Sequence, residues 1–338
     1  MLRILVCCFC LNFVQVFSQD FHFTQYNRVG ILVNPAITGV FGGWERFCVS
    51  HRNQWLGANT QFTTSAASAE MTVGKGYRNE KSYLGFGFMF VNDVGGDANF
   101  GLRNGGITIS GVIPVNRLHT FSAGLQTSFG NRVADLTNLT FLSQWNGSAF
   151  DPTILSGEDE ALVSFSYLDA GLGFHYRYGK EQTKVIRERD FSIEAGASVS
   201  HINRPRLRYS NITSDRLYMK FNVYTNVFFT FSEVAGMEFN LLQTKQGKQY
   251  ETVGGIFLKT RFKAAAHVTR KVQDSYIGFG TYVQSSGVLA PAVTIDWGGF
   301  KLGLSYDLSV SKIRQAYTGS AEISLSYTTT KESIFGRR

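Results

Sequence analysis

Residues 300–309 read FKLGLSYDLS and residues 319–327 read GSAEISLSY, and these two segments decide the fold. Every second side chain is apolar, and the side chains between are polar or small. The apolar sets are Phe300, Leu302, Leu304, Tyr306 and Leu308, then Ala321, Ile323, Leu325 and Tyr327. Alternation with a period of two puts each set on one face of a β-strand. In water that face would pack against a second sheet, whereas in lipid it would turn outward around a polar interior.

The same alternation recurs along the chain, and no stretch shows a sustained helical period. We predict strands at about 45–55, 61–73, 82–93, 102–113, 117–130, 164–178, 190–201, 217–231, 235–244, 250–262, 275–285, 289–297, 300–310 and 318–328. Most of these segments reach the ~9–11 residues that cross a bilayer at a tilt. Their number is even, as in bacterial single-chain barrels.

Composition agrees with a membrane barrel. The chain has 29 Phe, 15 Tyr and 35 Gly against 5 Pro, and its charged fraction of 17% is below the ~25% of soluble domains. It has no internal run of 18 apolar residues, which excludes a helical membrane protein. We predict an all-β fold: one transmembrane antiparallel up-and-down β-barrel of the outer-membrane type, with about 14 strands, over residues 44–328. A soluble adhesive β-sandwich is the rival fold.

Connector lengths indicate which end of the barrel faces the periplasm. If both ends of the sheet start there, the connectors after even-numbered strands are periplasmic, and those at 114–116, 233–234 and 298–299 are short. The longest connector, 131–163, follows the fifth strand and is therefore predicted to lie outside the cell.

The chain ends are interpreted separately. Residues 1–18 are predicted to be a signal peptide, with Arg3 before an apolar run at 4–13 and Ser18 before the cleavage point. Residues 19–43 form a periplasmic or lumenal lead-in, and 329–338 a C-terminal tail. Cleavage would leave Cys48 as the only cysteine, so a disulfide-stapled module is excluded. Export of a barrel predicts the bacterial outer membrane as its location.

No set of side chains points to catalysis or metal binding. The six histidines show no H-x-x-x-H spacing and join no cysteine pair, and the glycine-rich stretches open no helix. The net charge of +8 is spread singly along strands and turns, which argues against a nucleic-acid partner. We therefore expect no enzyme activity, no catalytic or metal-binding residues and no cofactor. An outer-membrane hydrolase is the enzymatic alternative, and it would need a nucleophile beside a base.

Several short blocks resemble one family. They are Gln25-Tyr26, Asn34-Pro35-Ala36-Ile37-Thr38-Gly39, Arg52-Asn53-Gln54-Trp55, Leu304-Ser305-Tyr306-Asp307 and Glu322-Ile323-Ser324-Leu325-Ser326-Tyr327. With these blocks the chain, from about 19 to 328, resembles the PorP/SprF outer-membrane proteins of Bacteroidetes. The tail and the segment around His201 depart from the family's pattern.

The resemblance implies a non-enzymatic outer-membrane component of the type IX secretion system and gliding machinery. It implies contact with outer-membrane lipid and with ring lipoproteins or other periplasmic components, or anchoring of secreted adhesins that carry a type IX C-terminal signal. The candidate site residues, structural or docking in role, are Asn34, Pro35, Gly39, Arg52, Asn53, Gln54 and Trp55. The alternative is an outer-membrane porin or small-solute transporter, which predicts an open lumen.

Overall fold

The described residues form a closed antiparallel barrel in which each strand pairs with its neighbours in sequence and β1 pairs with β14. The computed structural model describes residues 20–56, 62–76, 81–96, 100–133, 139–157, 164–179, 190–207, 216–263, 274–310, 319–330 and 333–335. The strands are β1 (Glu45–Leu56), β2 (Phe62–Val73), β3 (Tyr83–Gly95), β4 (Phe100–Pro114), β5 (His119–Val133), β6 (Ser164–Gly179), β7 (Phe191–Ser200), β8 (Lys220–Thr230), β9 (Ala235–Gln246), β10 (Gln249–Lys263), β11 (Ser275–Gln284), β12 (Val288–Trp297), β13 (Phe300–Ser309) and β14 (Gly319–Thr328). The predicted up-and-down barrel is confirmed.

The apolar face of the sheet points away from the barrel axis. Leu304 and Ile323 are 44% and 45% exposed, whereas their sequence neighbours Ser305 and Glu322 are buried. Closure pairs the backbone groups within the wall, which a bilayer requires because lipid offers no hydrogen-bond partner. The outward apolar surface is therefore a lipid-facing belt, and the sandwich alternative is wrong.

In the part of the chain that is described, no helix is both long and apolar enough to cross a membrane.

The interior is filled by the segment that precedes β1. We call residues 20–43 the plug. They contain a short helix, α1 (Gly30–Val33), between two 3₁₀ turns, Tyr26–Arg28 and Pro35–Ile37. We call the end where β1 begins and β14 finishes the lower rim, and the opposite end the upper rim.

The plug crosses the lumen from one rim to the other. At the upper rim Asp20 donates its backbone N–H to Gln246, the last residue of β9, over 3.2 Å. At the lower rim the N–H of Trp44, directly after the plug, donates to the carbonyl of Thr329, just beyond β14, over 3.0 Å. Four clusters of buried apolar side chains, three of them including plug residues around Tyr26, Val29 or Val40, lie inside the described barrel. The core of this protein is thus the interface between plug and wall.

The C-terminal tail begins by folding against the lower rim. The hydroxyls of Thr329 and Ser333 both bond the buried carboxylate of Glu45, the first residue of β1. The predicted signal peptide, 1–18, lies outside the described residues, as do 134–138 and 158–163 of the long connector and 331–332 and 336–338 of the tail.

Candidate functional site

The plug is attached to the wall by a buried cluster around Arg52. This arginine points inward from β1, and its guanidinium lies 2.7 Å from an Asp307 oxygen and 3.3 Å from a Glu322 oxygen. All three side chains are at most 4% exposed. Asp307 and Glu322 come from the consecutive strands β13 and β14, and closure of the barrel brings β1 with Arg52 beside β14.

Two plug residues complete this cluster. The backbone N–H groups of Thr24 and Gln25 donate to the two carboxylate oxygens of Glu322, over 2.8 and 2.9 Å. The Thr24 hydroxyl donates to Asp307 over 3.0 Å and accepts from Arg52 over 2.6 Å. Glu322 therefore neutralises Arg52 and holds plug backbone at the same time. A carboxylate pair that shares one arginine needs these extra donors, because two buried anions beside one cation are otherwise undercompensated.

A second ionic cluster holds the 3₁₀ turn of the plug. Arg28 pairs with Asp296 of β12 over 2.9 Å, and Lys259 of β10 bridges Asp296 to Glu238 of β9. Asn27, beside Arg28, donates to Glu238 over 3.1 Å. This cluster fixes the plug on the side of the lumen formed by β9 to β12.

A third cluster lies near the upper rim around Asp20. Its carboxylate is 2.6 Å from Nε2 of His201, whose Nδ1 lies 2.9 Å from Asp169 of β6. Arg132 and Lys220 approach the same carboxylate at 4.0 Å. His201 follows β7 and has a positive φ of 60°, a conformation uncommon outside glycine. That backbone geometry turns the imidazole between two carboxylates.

Burial and charge act in opposite directions on this cluster. Burial alone would lower the pKa of His201, but the charge of Asp20 and bonds to Asp169 and Asp20 outweigh it and raise the pKa to about 9. For Asp20, burial raises the pKa, and the opposing charge and hydrogen bond of His201, with Lys220 and Arg132, leave it below its usual range. At neutral pH the contact is therefore an ion pair.

The plug's Asn34-Pro35 turn lies against glycines of the wall. Asn34 is fully buried; its side-chain oxygen accepts the N–H of Ala36 over 2.9 Å, and its amide donates to the Phe174 carbonyl over 2.9 Å. A Cβ added to Gly124 of β5 would lie 2.5 Å from the Pro35 carbonyl carbon, and one on Gly173 of β6 would lie 1.9 Å from the Asn34 side-chain oxygen. Both wall positions therefore have room for glycine alone.

Gly39 makes the corresponding close approach near the lower rim. Its φ is +78°, and an added Cβ would lie 2.9 Å from the backbone of Gly85 on β3. Its N–H donates to Glu70 over 3.2 Å, and Glu70 forms two 2.8 Å bonds with Arg46. A side chain here would meet both backbone strain and a clash.

The remaining candidate residues do not face the plug together with Arg52. Asn53 points outward, and Gln54 and Trp55 lie where the β1–β14 pairing shifts between Asn53 and Leu56. Trp55 has φ +64° and packs edge-on against Phe62 at 4.8 Å between ring centroids. Within the block Arg52 to Trp55, Arg52 therefore anchors the plug, and Gln54 and Trp55 form a bulge at the upper end of β1. The structural or docking role predicted for these seven residues stays a prediction.

Sequence reasoning missed the plug's polar partners on the wall. His175 and Asp169, both on the inward face of β6, have different partners: the His175 imidazole hydrogen-bonds the Tyr224 hydroxyl over 2.6 Å, and the Asp169 carboxylate contacts His201. The signal that could have found the main cluster is that Gln25, Asp307 and Glu322, like Arg52, each lie in one of the short blocks that resemble the family. Among the described residues no group of His, Cys, Asp and Glu has an arrangement that could hold a metal ion.

Comparison with known families decides the assignment. A family model described as type IX secretion system membrane protein PorP/SprF matches residues 15–327. The chain belongs to this family. In this PorP/SprF protein the match covers the plug, the Arg52 cluster and the described strands except Thr328, the last residue of β14, so the site lies wholly within the family region.

Similarities outside the family are weaker. No curated protein matches the chain. Among solved structures, the monoaromatic hydrocarbon channel CymD is 11% identical, with 90% of this chain and 93% of that chain covered at a TM-score of 0.49. The Ralstonia pickettii toluene transporter TbuX is 11% identical, with 89% and 92% covered at a TM-score of 0.48. The barrel fold of this PorP/SprF protein follows from its own closed strand pairing.

Proposed function

We propose that this PorP/SprF protein is a non-enzymatic outer-membrane component of the type IX secretion system whose sealed barrel docks periplasmic ring components or anchors secreted adhesins. The observation that carries this proposal is the plug. Three ionic clusters and the Asn34 turn fix the plug across the lumen. An interior occupied in this way argues against passage of solutes through the barrel. A docking barrel needs a rigid wall and shaped ends, and a filled interior supplies rigidity.

The upper-rim connector between β5 and β6 supports the docking role. Within residues 139–157, Gln144 bonds the Ile154 carbonyl over 3.0 Å, and Trp145 pairs with Phe150. On this ordered loop Leu142 and Leu155 are 90% and 89% exposed. These two leucines are the side chains that a protein partner of this loop would bury, and with the lower rim in the periplasm the loop would face exported cargo.

The lower rim offers the surface for periplasmic partners. Val115 and Val234 stand exposed on the two short connectors after β4 and β8. Elsewhere on the same rim, the start of the tail is folded onto Glu45, the first residue of β1. A ring lipoprotein would meet these connectors, whereas an adhesin would meet the β5–β6 loop.

Site-specific photo-crosslinking tests the proposal. A photoreactive residue at Val234 should capture a ring component and one at Leu155 an exported adhesin, each identified by mass spectrometry from intact cells. Val223, on the lipid-facing side of β8, is the matched control and should capture neither. If Val234 and Leu155 yield only the products of the control, the docking role is wrong.

Conductance separates the proposal from the porin alternative. The purified protein in planar bilayers should be silent at moderate voltage, because the plug fills the lumen. Stable single-channel currents of the unmodified protein would favour the small-solute transporter instead.

A further inference from the structure

Polar side chains interrupt the lipid-facing belt on β1 and β2. His51 points outward midway along β1; its side chain is exposed, and its imidazole is hydrogen-bonded to the hydroxyl of its ladder partner Ser65 of β2 over 2.9 Å. Next to it on the same face, Asn53 has a side-chain oxygen that is buried without a hydrogen-bond partner among the described residues. Polar groups in the middle of the lipid-facing belt destabilise a barrel unless something other than lipid covers them.

A hollow adjoins this polar patch on one side. It measures about 610 Å³ on the outer wall of β11 to β14 and reaches His51 and Asn53. Its apolar lining includes Leu304, Tyr306 and Ile323. The β12–β13 ladder lacks its pairs at Ala290 and Pro291 here, because proline has no N–H to donate.

A ridge adjoins the patch on the other side. Phe88 and Phe90 of β3 project outward and are 57% and 51% exposed. β3 is two strands from β1 in one direction, and β13, in the hollow, is two strands away in the other. Between the ridge and the patch, β2 presents the small side chains Ala67 and Ala69, which allow close approach.

Ridge, patch and hollow lie at about the same depth in the belt. The ladder row through Phe47 of β1 passes Phe88 and reaches Thr127. Phe47 lies near the start of β1, but Thr127 lies midway along β5 (His119–Val133), so rows climb from β1 towards β5. Val49 and Phe90 share a row, and because rows rise from β1 towards β3, Phe90 lies higher than Val49, at about the height of His51. Asn53 and Tyr306 also share a row. Rows fall from β1 towards β13, so Tyr306 lies lower than Asn53 and again at about the height of His51.

We propose that a second copy of this chain covers this face, forming a dimer with its twofold axis along the membrane normal near β1. Rotation about that axis keeps every height. It brings the ridge of each copy to the hollow of the other and sets the two polar patches face to face, where imidazole, amide and hydroxyl groups both donate and accept. Five strands about 4.8 Å apart and a belt about 25 Å tall give about 600 Å² per copy. The total, about 1,200 Å², exceeds the ~1,000 Å² expected of a specific interface.

Cysteine crosslinking in native membranes tests the dimer. In a Cys48→Ser background, His51→Cys should form a disulfide-linked dimer on mild oxidation. Phe88→Cys combined with Tyr306→Cys should do so with a short bifunctional maleimide. Val223→Cys, equally outward on β8 across the barrel, should remain monomeric.

Mass and interface variants complete the test. The unlinked protein in mild detergent should have the mass of a dimer, and Ala321→Trp, which fills the hollow, should raise the dimer dissociation constant about tenfold or more. His51→Leu should also weaken the dimer, because it removes a polar group from the interface. If this face met only lipid, the same substitution would instead stabilise the monomer. A monomeric mass, or equal crosslinking through Val223 and His51, would overturn the proposal, and so would a complex holding one copy with a different protein on this face.

Discussion

Replacing Arg52 by methionine should release the plug from the wall. The substitution keeps an unbranched side chain that fills most of the space of the arginine stem, but it removes the only cation within ion-pair distance of Asp307 and Glu322 among the described residues. Two adjacent carboxylates would remain buried beside Thr24 and Gln25. Water can reach them only if the plug moves, so the strain favours an open lumen.

The size of the effect follows from the burial of the pair. Removing one partner of a buried ion pair costs about 3–5 kcal/mol, because the other charge stays desolvated. Each 1.4 kcal/mol is a factor of ten in population, so the released state should rise by about two to three and a half powers of ten. Arg177 supplies the control, since it pairs with Glu194 across 3.5 Å with side chains 31% and 36% exposed. Arg177→Met removes a contact worth about 0.2–1 kcal/mol.

Planar-bilayer recording and thermal unfolding measure the outcome. Arg52→Met should show frequent channel openings and a lower midpoint, whereas Arg177→Met should remain silent. Adding Asp307→Asn and Glu322→Gln to Arg52→Met should return part of the lost stability, because no buried charge is then unpaired. If Arg52→Met is as silent and as stable as Arg177→Met, the cluster does not hold the plug.

Three further predictions concern the other anchors. Gly124→Val should lower the unfolding midpoint and expose the plug to added protease, because its Cβ would meet the Pro35 backbone at 2.5 Å; Gly111→Val, where an added Cβ meets nothing within 4 Å, should not. Asn34→Ala should cost about 1–3 kcal/mol in a denaturant titration, since it leaves buried partners unpaired, and Asn34→Asp, which keeps the acceptor for Ala36, should restore only the capping part. The stability that the Asp20–His201 contact adds should be complete below pH 6.5 and be lost as the pH rises through about 9, because the pKa of His201 is raised on folding. The same contribution needs ionised Asp20, so it should persist above pH 3.8 and fade in more acidic solution. Hydrogen-exchange protection of residues 20–29, measured against pH, should therefore fall at both the acidic and the alkaline end, and His201→Gln should abolish the alkaline fall.

The strands could be predicted from the sequence because the wall has a simple rule. Lipid outside and polar contacts inside impose a period of two, and predicted segments such as 45–55 and 300–310 differ from β1 and β13 by a single residue at one end. The plug obeys no such rule. Residues 20–43 bury Thr24, Gln25 and Asn34 as completely as Ile31, so hydropathy cannot tell that segment from an exposed lead-in.

The site was visible in the sequence only in fragments. Arg52 stood out within its block, but its partners Asp307 and Glu322 lie some 250 residues or more away, brought near by closure of β14 onto β1. His201 gave no signal, because its role depends on a positive φ that turns it towards Asp20. A strand glycine such as Gly124 carries no sequence signal of its contact with the plug, because that contact depends on where the plug backbone lies.

The interior is rich in ion pairs because a membrane reverses the usual placement of side chains, with the apolar face of the wall outside and its polar face inside. In a soluble barrel the apolar faces would meet inside and their burial would hold the core, but here they face lipid and contribute nothing to holding the plug. Its position therefore comes from hydrogen bonds, ion pairs and the close fit at Gly124, Gly173 and Gly39, together with the small apolar clusters around Tyr26 and Val29. The ionic contacts fix a geometry more than they add stability, because the desolvation of Arg52 or Asp20 offsets much of the attraction. The plug is then specified strictly yet held by a modest net free energy, and a partner bound at either rim could shift it by contacting Asp20 at the upper end or Gly39 at the lower.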